Sequence, residues 1–288
     1  MCRHLAYLGG ELPLGALLFD PPYGLVRQSW APRRQRYGTV NADGFGIGWY
    51  AGGDERPARY RRAGPIWADE NLADLARVVR TRALLAAVRS ATAGCAPGEA
   101  AAAPFASGRL LFSHNGALPG WPERYGPLAA TLPPADLMAL EARSDSALLF
   151  ALLLARLRTG AELGEAVADT VREAAKYGDG RLNLLVTDGT SIAATAWGDT
   201  LFHRSGPGTV VASEPYDDVP GWVEVPDRTL LLAGPAGVTL HPVDRPWSDI
   251  GGPAPENDEP ASENDRPARG ISRPTRKSDG PTREDDSP

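Results

Sequence analysis

Apolar runs of strand length recur along most of this chain, and turn-forming residues separate them. Alternating or continuous apolar runs of this length are typical of half-buried or fully buried strands. Two connections, TDGTS around Asp188 and GPAG around Pro235, are short and contain Gly, which favours hairpins and antiparallel pairing. The predicted strands are RHLAYL, GFGIGWY, LLAAVRSAT, GRLLFSHNG, RLNLLVTDG, SIAATAW, TVVASEP, RTLLLAG and GVTLHPV.

Three segments show the apolar spacing of helices: ADENLADLARVVR, SDSALLFALLLARLRTG and AELGEAVADTVREAAKY. Strands come early, helices lie in the middle, and strands return at the end. This order predicts an α+β fold in which antiparallel sheets pack against helices. The regular alternation of strand and helix that is typical of a doubly wound fold is missing.

Composition divides the chain at residue 251. Residues 251–288 are rich in Pro and charged residues and hold almost no large apolar side chain. Such a segment buries too little apolar surface to offset its ordering entropy, so we expect a disordered tail. Residues 2–250 are predicted to form one domain, in which residues 92–104, TAGCAPGEAAAAP, form a flexible loop.

Charge, hydrophobic run length and cysteine content argue against a nucleic-acid-binding, membrane-spanning or disulfide-rich protein. The formal net charge is −6 and the Arg residues are scattered among Asp and Glu, so we expect no nucleic-acid partner. The apolar run Ala147–Ala155 is too short to span a bilayer, and the first ten residues do not resemble a signal peptide. The two cysteines cannot build a disulfide framework, which indicates a reducing cytoplasm. Nothing in the sequence indicates an oligomeric state.

Cys2 is the first candidate for chemistry. Removal of Met1 would make it the first residue of the chain. A terminal cysteine carries a thiol with a pKa of about 8.5 and an amine with a pKa of about 8. The amine can then act as the base for its own side chain, as in other nucleophiles that a terminal amine activates. The alternative is a small buried cysteine in the first strand.

Three further segments could supply what an acyl-transfer site needs. In FSHNGAL, Asn115 and Gly116 could donate to an oxyanion, although Asn-Gly is also a common hairpin turn. Arg89 ends an apolar strand, where it could bind a substrate carboxylate or form a buried ion pair. Asp145 precedes a helix, where it could cap the helix or accept from a substrate ammonium.

The order of Cys2, VRSAT, HNG and RSDS resembles the class II glutamine amidotransferases, the N-terminal nucleophile hydrolases that use cysteine. The resemblance covers residues 2–250 and implies a four-layer αββα sandwich of two antiparallel sheets. It implies that Cys2 is the nucleophile and that Asn115 and Gly116 form the oxyanion hole. It also implies that Arg89 and Asp145 bind the α-carboxylate and α-ammonium of a glutamyl group.

The segments MCRHLAYLG, LVRQSWAPR, TVNADGFGIGWY and VASEPYDD are similar to the amidohydrolases of ergothioneine biosynthesis. These enzymes convert γ-glutamyl-hercynylcysteine S-oxide to hercynylcysteine S-oxide and glutamate. The similarity implies hydrolysis of a γ-glutamyl amide through a thioester, without a metal or an organic cofactor. Two segments depart from the pattern: Ala103 stands where relatives often carry His, and VNA at 40–42 replaces an HRG triplet.

The leaving group in that reaction carries a trimethylammonium, which aromatic faces can hold by cation–π attraction. The candidates for this pocket are Trp30, Tyr37, Trp49 and Tyr50, and ordinary packing is the alternative for each of them. Two other functions stay open: a glutaminase subunit that supplies ammonia to a separate synthase, and an inactive binding module. Cys95, in the predicted flexible loop, is expected to be a bystander.

Overall fold

The structure is a computed structural model that describes residues 2–245 and Trp247. The predicted tail, residues 251–288, lies outside the described residues, as does Met1. The helices are α1 Gly15–Leu18, α2 Leu25–Gln28, α3 Leu72–Val78, α4 Gly126–Ala129, α5 Pro134–Met138, α6 Asp145–Arg158 and α7 Leu163–Ala175. The strands are β1 Arg3–Pro13, β2 Phe45–Trp49, β3 Ala58–Arg62, β4 Arg80–Val88, β5 Phe105–Ser107, β6 Leu110–Ala117, β7 Arg181–Thr187, β8 Ile192–Ala196, β9 Phe202–Ser205, β10 Gly208–Ala212, β11 Val223–Glu224, β12 Thr229–Gly234 and β13 Gly237–Pro242.

The strands form two sheets. In the first sheet the order is β11-β9-β10-β1-β4-β2-β3, and in the second it is β13-β12-β8-β7-β6-β5. The strand pairs of the described chain are antiparallel, and the connections around Asp188 and Pro235 are hairpins. The prediction of antiparallel sheets is therefore confirmed.

Three apolar cores separate four layers. Side chains such as Leu5 and Leu84 pack the first sheet against α1, α2 and α3. Leu85, Leu111 and Leu185 belong to a second core between the two sheets. The third core joins the second sheet to α6 and α7, which are the two longest helices. The layers follow the αββα order that the family resemblance implied, so this expectation is confirmed.

The position of β1 within its sheet fixes the start of the chain. This strand pairs with β4 along one edge and with β10 along the other. Leu5 and Tyr7 point into the helix-covered core, whereas Ala6 points into the core between the sheets. Burial on both faces and pairing on both edges leave the beginning of this strand little freedom.

The register of β1 on β4 brings two predicted site residues together. Arg3 lies opposite Val88, so Arg89, the residue after β4, reaches the end of β1 at which Cys2 lies. None of the helices described in residues 2–245 is long and apolar enough to cross a membrane.

Candidate active site

Cys2 lies at the entrance of β1, where its backbone nitrogen donates a hydrogen bond of 3.2 Å to Asn115 Oδ1. Its Sγ lies 3.9 Å from the carbonyl oxygen of Ser90. Burial raises the pKa of the Cys2 thiol, while the nearby charge of Arg89 acts in the opposite direction. A thiol of raised pKa is protonated at neutral pH, so a nucleophile here needs a base.

Two buried histidines flank this region, and both are neutral. His4 Nδ1 lies 3.1 Å from Ser113 Oγ, and burial lowers the pKa of His4 to about 3. His114 lies 2.8 Å from the Arg181 carbonyl through Nε2 and 3.1 Å from Ser146 Oγ through Nδ1. Because a carbonyl only accepts, Nε2 carries the proton of His114. Neither ring bonds to the Cys2 thiol within the described part of the chain, so neither is placed to act as its base.

The stability of the fold is expected to fall when the pH drops below about 6.5, the pKa of histidine in an unfolded chain. His4 and His114 have lowered pKa values in the folded protein, so in this range only the unfolded chain takes up their protons. For His4, whose pKa in the folded protein is about 3, the loss should be about 1.4 kcal/mol of unfolding free energy per pH unit between pH 6.5 and 5, and His114 should add a loss in the same direction. Urea denaturation at pH 7.5 and pH 5.5 measures this, and equal midpoints would show that neither histidine is buried as neutral imidazole.

Asn115 and Gly116 lie inside β6, opposite Asn183 and Leu182 of β7. The hairpin-turn alternative for this dipeptide is therefore wrong, because both residues are part of a sheet ladder. A Cβ on Gly116 would lie 1.9 Å from the Arg181 carbonyl oxygen and 2.3 Å from His114 Nε2. Only glycine fits this position, where the two strands and the His114 ring meet.

The side chain of Asn115 is oriented by its neighbours. Its Nδ2 donates to Asp199 Oδ2 at 3.4 Å and to Ser213 Oγ at 3.3 Å. Because a carboxylate only accepts, this pairing turns Oδ1 toward the nitrogen of Cys2. The amide hydrogens thus point away from Cys2 in this conformation. Donation to an oxyanion stays a prediction, and in this conformation the side-chain carbonyl of Asn115 accepts from the backbone nitrogen of Cys2.

Arg89 is 8% exposed and follows β4 directly. Its guanidinium donates to the carbonyl oxygens of Asp43 at 3.3 Å and Ala96 at 3.1 Å. No carboxylate within the described residues lies at ion-pair distance from it, so the structural ion pair considered for Arg89 is not found there. A buried cation held by neutral carbonyls leaves a favourable place for an anionic ligand.

Asp145 is the first residue of α6, and the cap of this helix is Ser144, whose side chain accepts from the Ala147 amide at 3.2 Å. The N-cap alternative for Asp145 is therefore wrong. Its Oδ2 accepts from Leu118 N at 3.2 Å, and its Oδ1 accepts from Ser146 N at 2.8 Å. The buried carboxylate is thus held in place, and it lies close enough to Cys2 to raise the pKa of that thiol further.

Cys95 lies next to a predicted site residue, because its Sγ is 3.6 Å from Asp145 Oδ1. The next residue, Ala96, bonds to Arg89 through its carbonyl and to Arg143 O through its amide at 2.8 Å. Burial, with the charge of Asp145 second, raises the pKa of Cys95 to about 11, so this thiol is neutral. The loop around Cys95 connects the two predicted anchors of the glutamyl group.

A buried charge network that the sequence analysis missed supports the entrance of β1. Arg3 lies 3.3 Å from Asp199 Oδ2 and 3.8 Å from Glu214 Oε2, and the three side chains are hidden from solvent. Glu214 also accepts from the backbone amides of Arg33 at 2.9 Å and Arg34 at 2.8 Å. The network therefore connects the strand that carries Cys2 with the segment that leads to Tyr37. The sequence contained one indication of this network, the charged Glu214 within the predicted strand TVVASEP.

The four aromatic residues that were candidates for the leaving-group pocket lie in different parts of the structure. Trp49 pairs with Leu84, and the Tyr50 amide bonds to the Ala83 carbonyl, so they lie about 17 Å and about 20 Å along β4 from Arg89. Trp30 packs edge-on against Trp67, with ring centroids 5.7 Å apart.

Tyr37 is the member of this set that lines a cavity with Gly116 in the described part of the chain. The register of β2 on β4 places Trp49 and Tyr50 toward the opposite end of β4 from Arg89, and neither residue lines the cavity beside Gly116 in the described chain.

A family model described as glutamine amidotransferases class-II matches residues 17–230. A protein of Mycobacterium tuberculosis named gamma-glutamyl-hercynylcysteine sulfoxide hydrolase is 43% identical over 247 residues, which are 85% of this chain and 98% of that protein. The protein of the same name from Mycolicibacterium smegmatis is also 43% identical, over 84% of this chain and all of that protein.

A solved structure of a glutamine aminotransferase class-II domain protein from Silicibacter pomeroyi has the same fold. It superimposes with a TM-score of 0.61 at 23% identity, over 85% of this chain and 100% of that chain. The family match, the two relatives and the αββα layers agree with one another. The chain belongs to the class II glutamine amidotransferases.

Proposed function

We propose that this protein hydrolyses a γ-glutamyl amide bond, and that its substrate is γ-glutamyl-hercynylcysteine S-oxide, as the names of its 43% identical relatives suggest. One observation supports this most: Arg89, a buried cation without a carboxylate partner in the described chain, and Asp145, a buried anion, both lie near Cys2. A free glutamyl α-carbon carries one group of each charge. The pair would orient that end of the substrate so that its γ-carbonyl faces the thiol.

The reaction begins, in this proposal, with removal of Met1 from the chain. The free amine of Cys2 takes the proton of the thiol, and the thiolate attacks the γ-carbonyl carbon. The tetrahedral oxyanion is stabilised by the Gly116 amide, together with Asn115 once its side chain turns. The C–N bond breaks as the terminal ammonium protonates the leaving nitrogen. Water, deprotonated by the same amine, then hydrolyses the thioester to glutamate and the free thiol.

Asn115 Oδ1 supports the role of the amine as base. A carbonyl oxygen at 3.2 Å from the nitrogen accepts one hydrogen and leaves the nitrogen lone pair free to point elsewhere. Both cysteines are free thiols in the described chain, and we propose that the protein works in the reducing cytoplasm, where such thiols persist.

The test is to purify the protein, determine by intact mass whether Met1 is gone, and compare two substrates. We expect the processed protein to cleave γ-glutamyl-hercynylcysteine S-oxide with a kcat/KM about 10²-fold or more above that for glutamine, because only the former fills a leaving-group pocket. Preference for glutamine would favour the glutaminase subunit instead. Binding without turnover of either compound would favour the inactive binding module.

A further inference from the structure

A cavity of about 280 Å³ opens beside Gly116, and its walls are Tyr37, Gly38, residues 91–93, Gly116, Ala117 and Arg181. Residues 91–93 follow Ser90, whose carbonyl oxygen lies 3.9 Å from Cys2 Sγ, so the cavity adjoins the nucleophile. Arg89 and Asp145 are not among its walls in the described chain. The cavity therefore adjoins Cys2 without being lined by either of the two predicted glutamyl anchors, which leaves it available to another part of a substrate.

Arg181 gives this cavity a positive wall. Its guanidinium carbon lies 4.4 Å from the centroid of the Tyr37 ring. Its Nε is buried and has no hydrogen-bond partner, and no carboxylate of the described residues lies at ion-pair distance from the side chain. A guanidinium presents donors in a planar fork that matches a carboxylate. Arg181 thus has unused capacity to bind an anion.

The backbone of Arg181 is held in place. Its carbonyl accepts from His114 Nε2 at 2.8 Å, and the residue lies opposite Ala117 on the β6–β7 ladder. The Tyr37 segment is fixed from the other side by Glu214, which accepts from the amides of Arg33 and Arg34. The ring and the guanidinium therefore face each other as parts of two supported elements.

The charge of this wall decides which group it can receive. Because the guanidinium already covers a face of Tyr37, a second cation such as trimethylammonium would be repelled there. An anion is attracted instead. In a γ-glutamyl amide of an α-amino acid, a carboxylate is attached to the carbon next to the scissile nitrogen and so lies beside the bond that breaks.

We propose that Arg181, supported by Tyr37, binds the α-carboxylate of the amino-acid leaving group. The site then selects γ-glutamyl derivatives of α-amino acids over glutamine and over γ-glutamyl amides of simple amines. This inference rests on the proposed function. It adds a binding residue for the leaving group, which the proposed function does not assign.

The experiment uses two substrates that differ only in this carboxylate: γ-glutamyl-S-methylcysteine S-oxide and its C-terminal carboxamide. We expect the wild-type protein to prefer the acid by about 10-fold or more in kcat/KM, as one charge-assisted contact provides. In Arg181→Gln the preference should fall below about 3-fold, while turnover of the carboxamide stays near the wild-type value. Arg181→Lys should keep part of the preference, because it keeps the charge without the fork.

Arg109→Gln is the matched control, since Arg109 is an exposed arginine in the turn between β5 and β6. It should keep the full preference for the acid. Equal rates on both substrates in the wild-type protein would overturn the role of Arg181, as would an equal loss on both substrates in Arg181→Gln and Arg181→Lys. Cleavage of γ-glutamyl-hercynylcysteine S-oxide without cleavage of either of these two substrates would overturn this inference alone, whereas failure on all three compounds would overturn the proposed function as well.

Discussion

Replacing Cys2 with Ala should reduce kcat for γ-glutamyl amide hydrolysis by about 10⁴-fold or more, the size of effect seen when a nucleophile is removed. The variant keeps the terminal amine and its contact with Asn115 Oδ1, so binding of the glutamyl group should survive. A kcat measurement together with isothermal titration of the unreactive variant separates the two effects.

Cys95→Ala is the matched control for this loss. Its Sγ approaches Asp145 Oδ1 at 3.6 Å but its thiol is neutral, so its removal should change KM by a few-fold and leave kcat nearly unchanged. Substantial turnover by Cys2→Ala, or a loss of kcat confined to Cys95→Ala, would contradict the assignment of the nucleophile.

Replacing Arg89 with Met should reduce kcat/KM by about 10² to 10³-fold, since a bidentate guanidinium–carboxylate contact contributes about 3–4 kcal/mol. We expect most of the loss to appear as a raised KM, because the α-carboxylate is equally charged in substrate and transition state. Arg89→Lys should recover only part of it. Steady-state kinetics with a γ-glutamyl amide and its α-carboxamide analogue provides the measurement.

Arg77→Met serves as the control, because Arg77 is exposed and pairs only with Asp74 on its own helix within the described chain. It should leave the kinetics unchanged. If Arg89→Met loses the same factor on the acid and on the carboxamide analogue, Arg89 merely supports the loop through its bonds to Asp43 and Ala96.

The core strands could be predicted because their apolar residues are continuous or alternate, as in β1, β4 and β7. The missed strands lack that pattern. Strand β3 reads ARYRR and lies at the edge of the first sheet, where Arg59 and Arg61 form ion pairs with Glu141. Strand β5 has three residues, and it is defined by its pairing with β6 rather than by its own sequence.

Residues of the candidate site could be predicted where a short motif indicates their chemistry. They could not be predicted where their position depends on pairing between distant segments of the chain. Asn-Gly permits a turn or a strand, and only the pairing of Gly116 with Leu182 distinguishes them. The approach of Cys95 to Asp145 joins residues 50 positions apart. Arg181 gave one weak signal, a charged residue at the start of an otherwise apolar strand.

The place of β1 between β4 and β10 has a consequence for the removal of Met1 that the proposed mechanism requires. A peptidase that trims the first residue needs that end of the chain extended and free, whereas His4 in the folded protein pairs with Ala87 on one edge and with Ser213 on the other. Because β10 begins only at Gly208, the second edge of β1 stays open until most of the chain has been synthesised. Under the proposed mechanism, removal of Met1 is therefore expected on the nascent chain, and a molecule that folded before this removal is expected to be inactive.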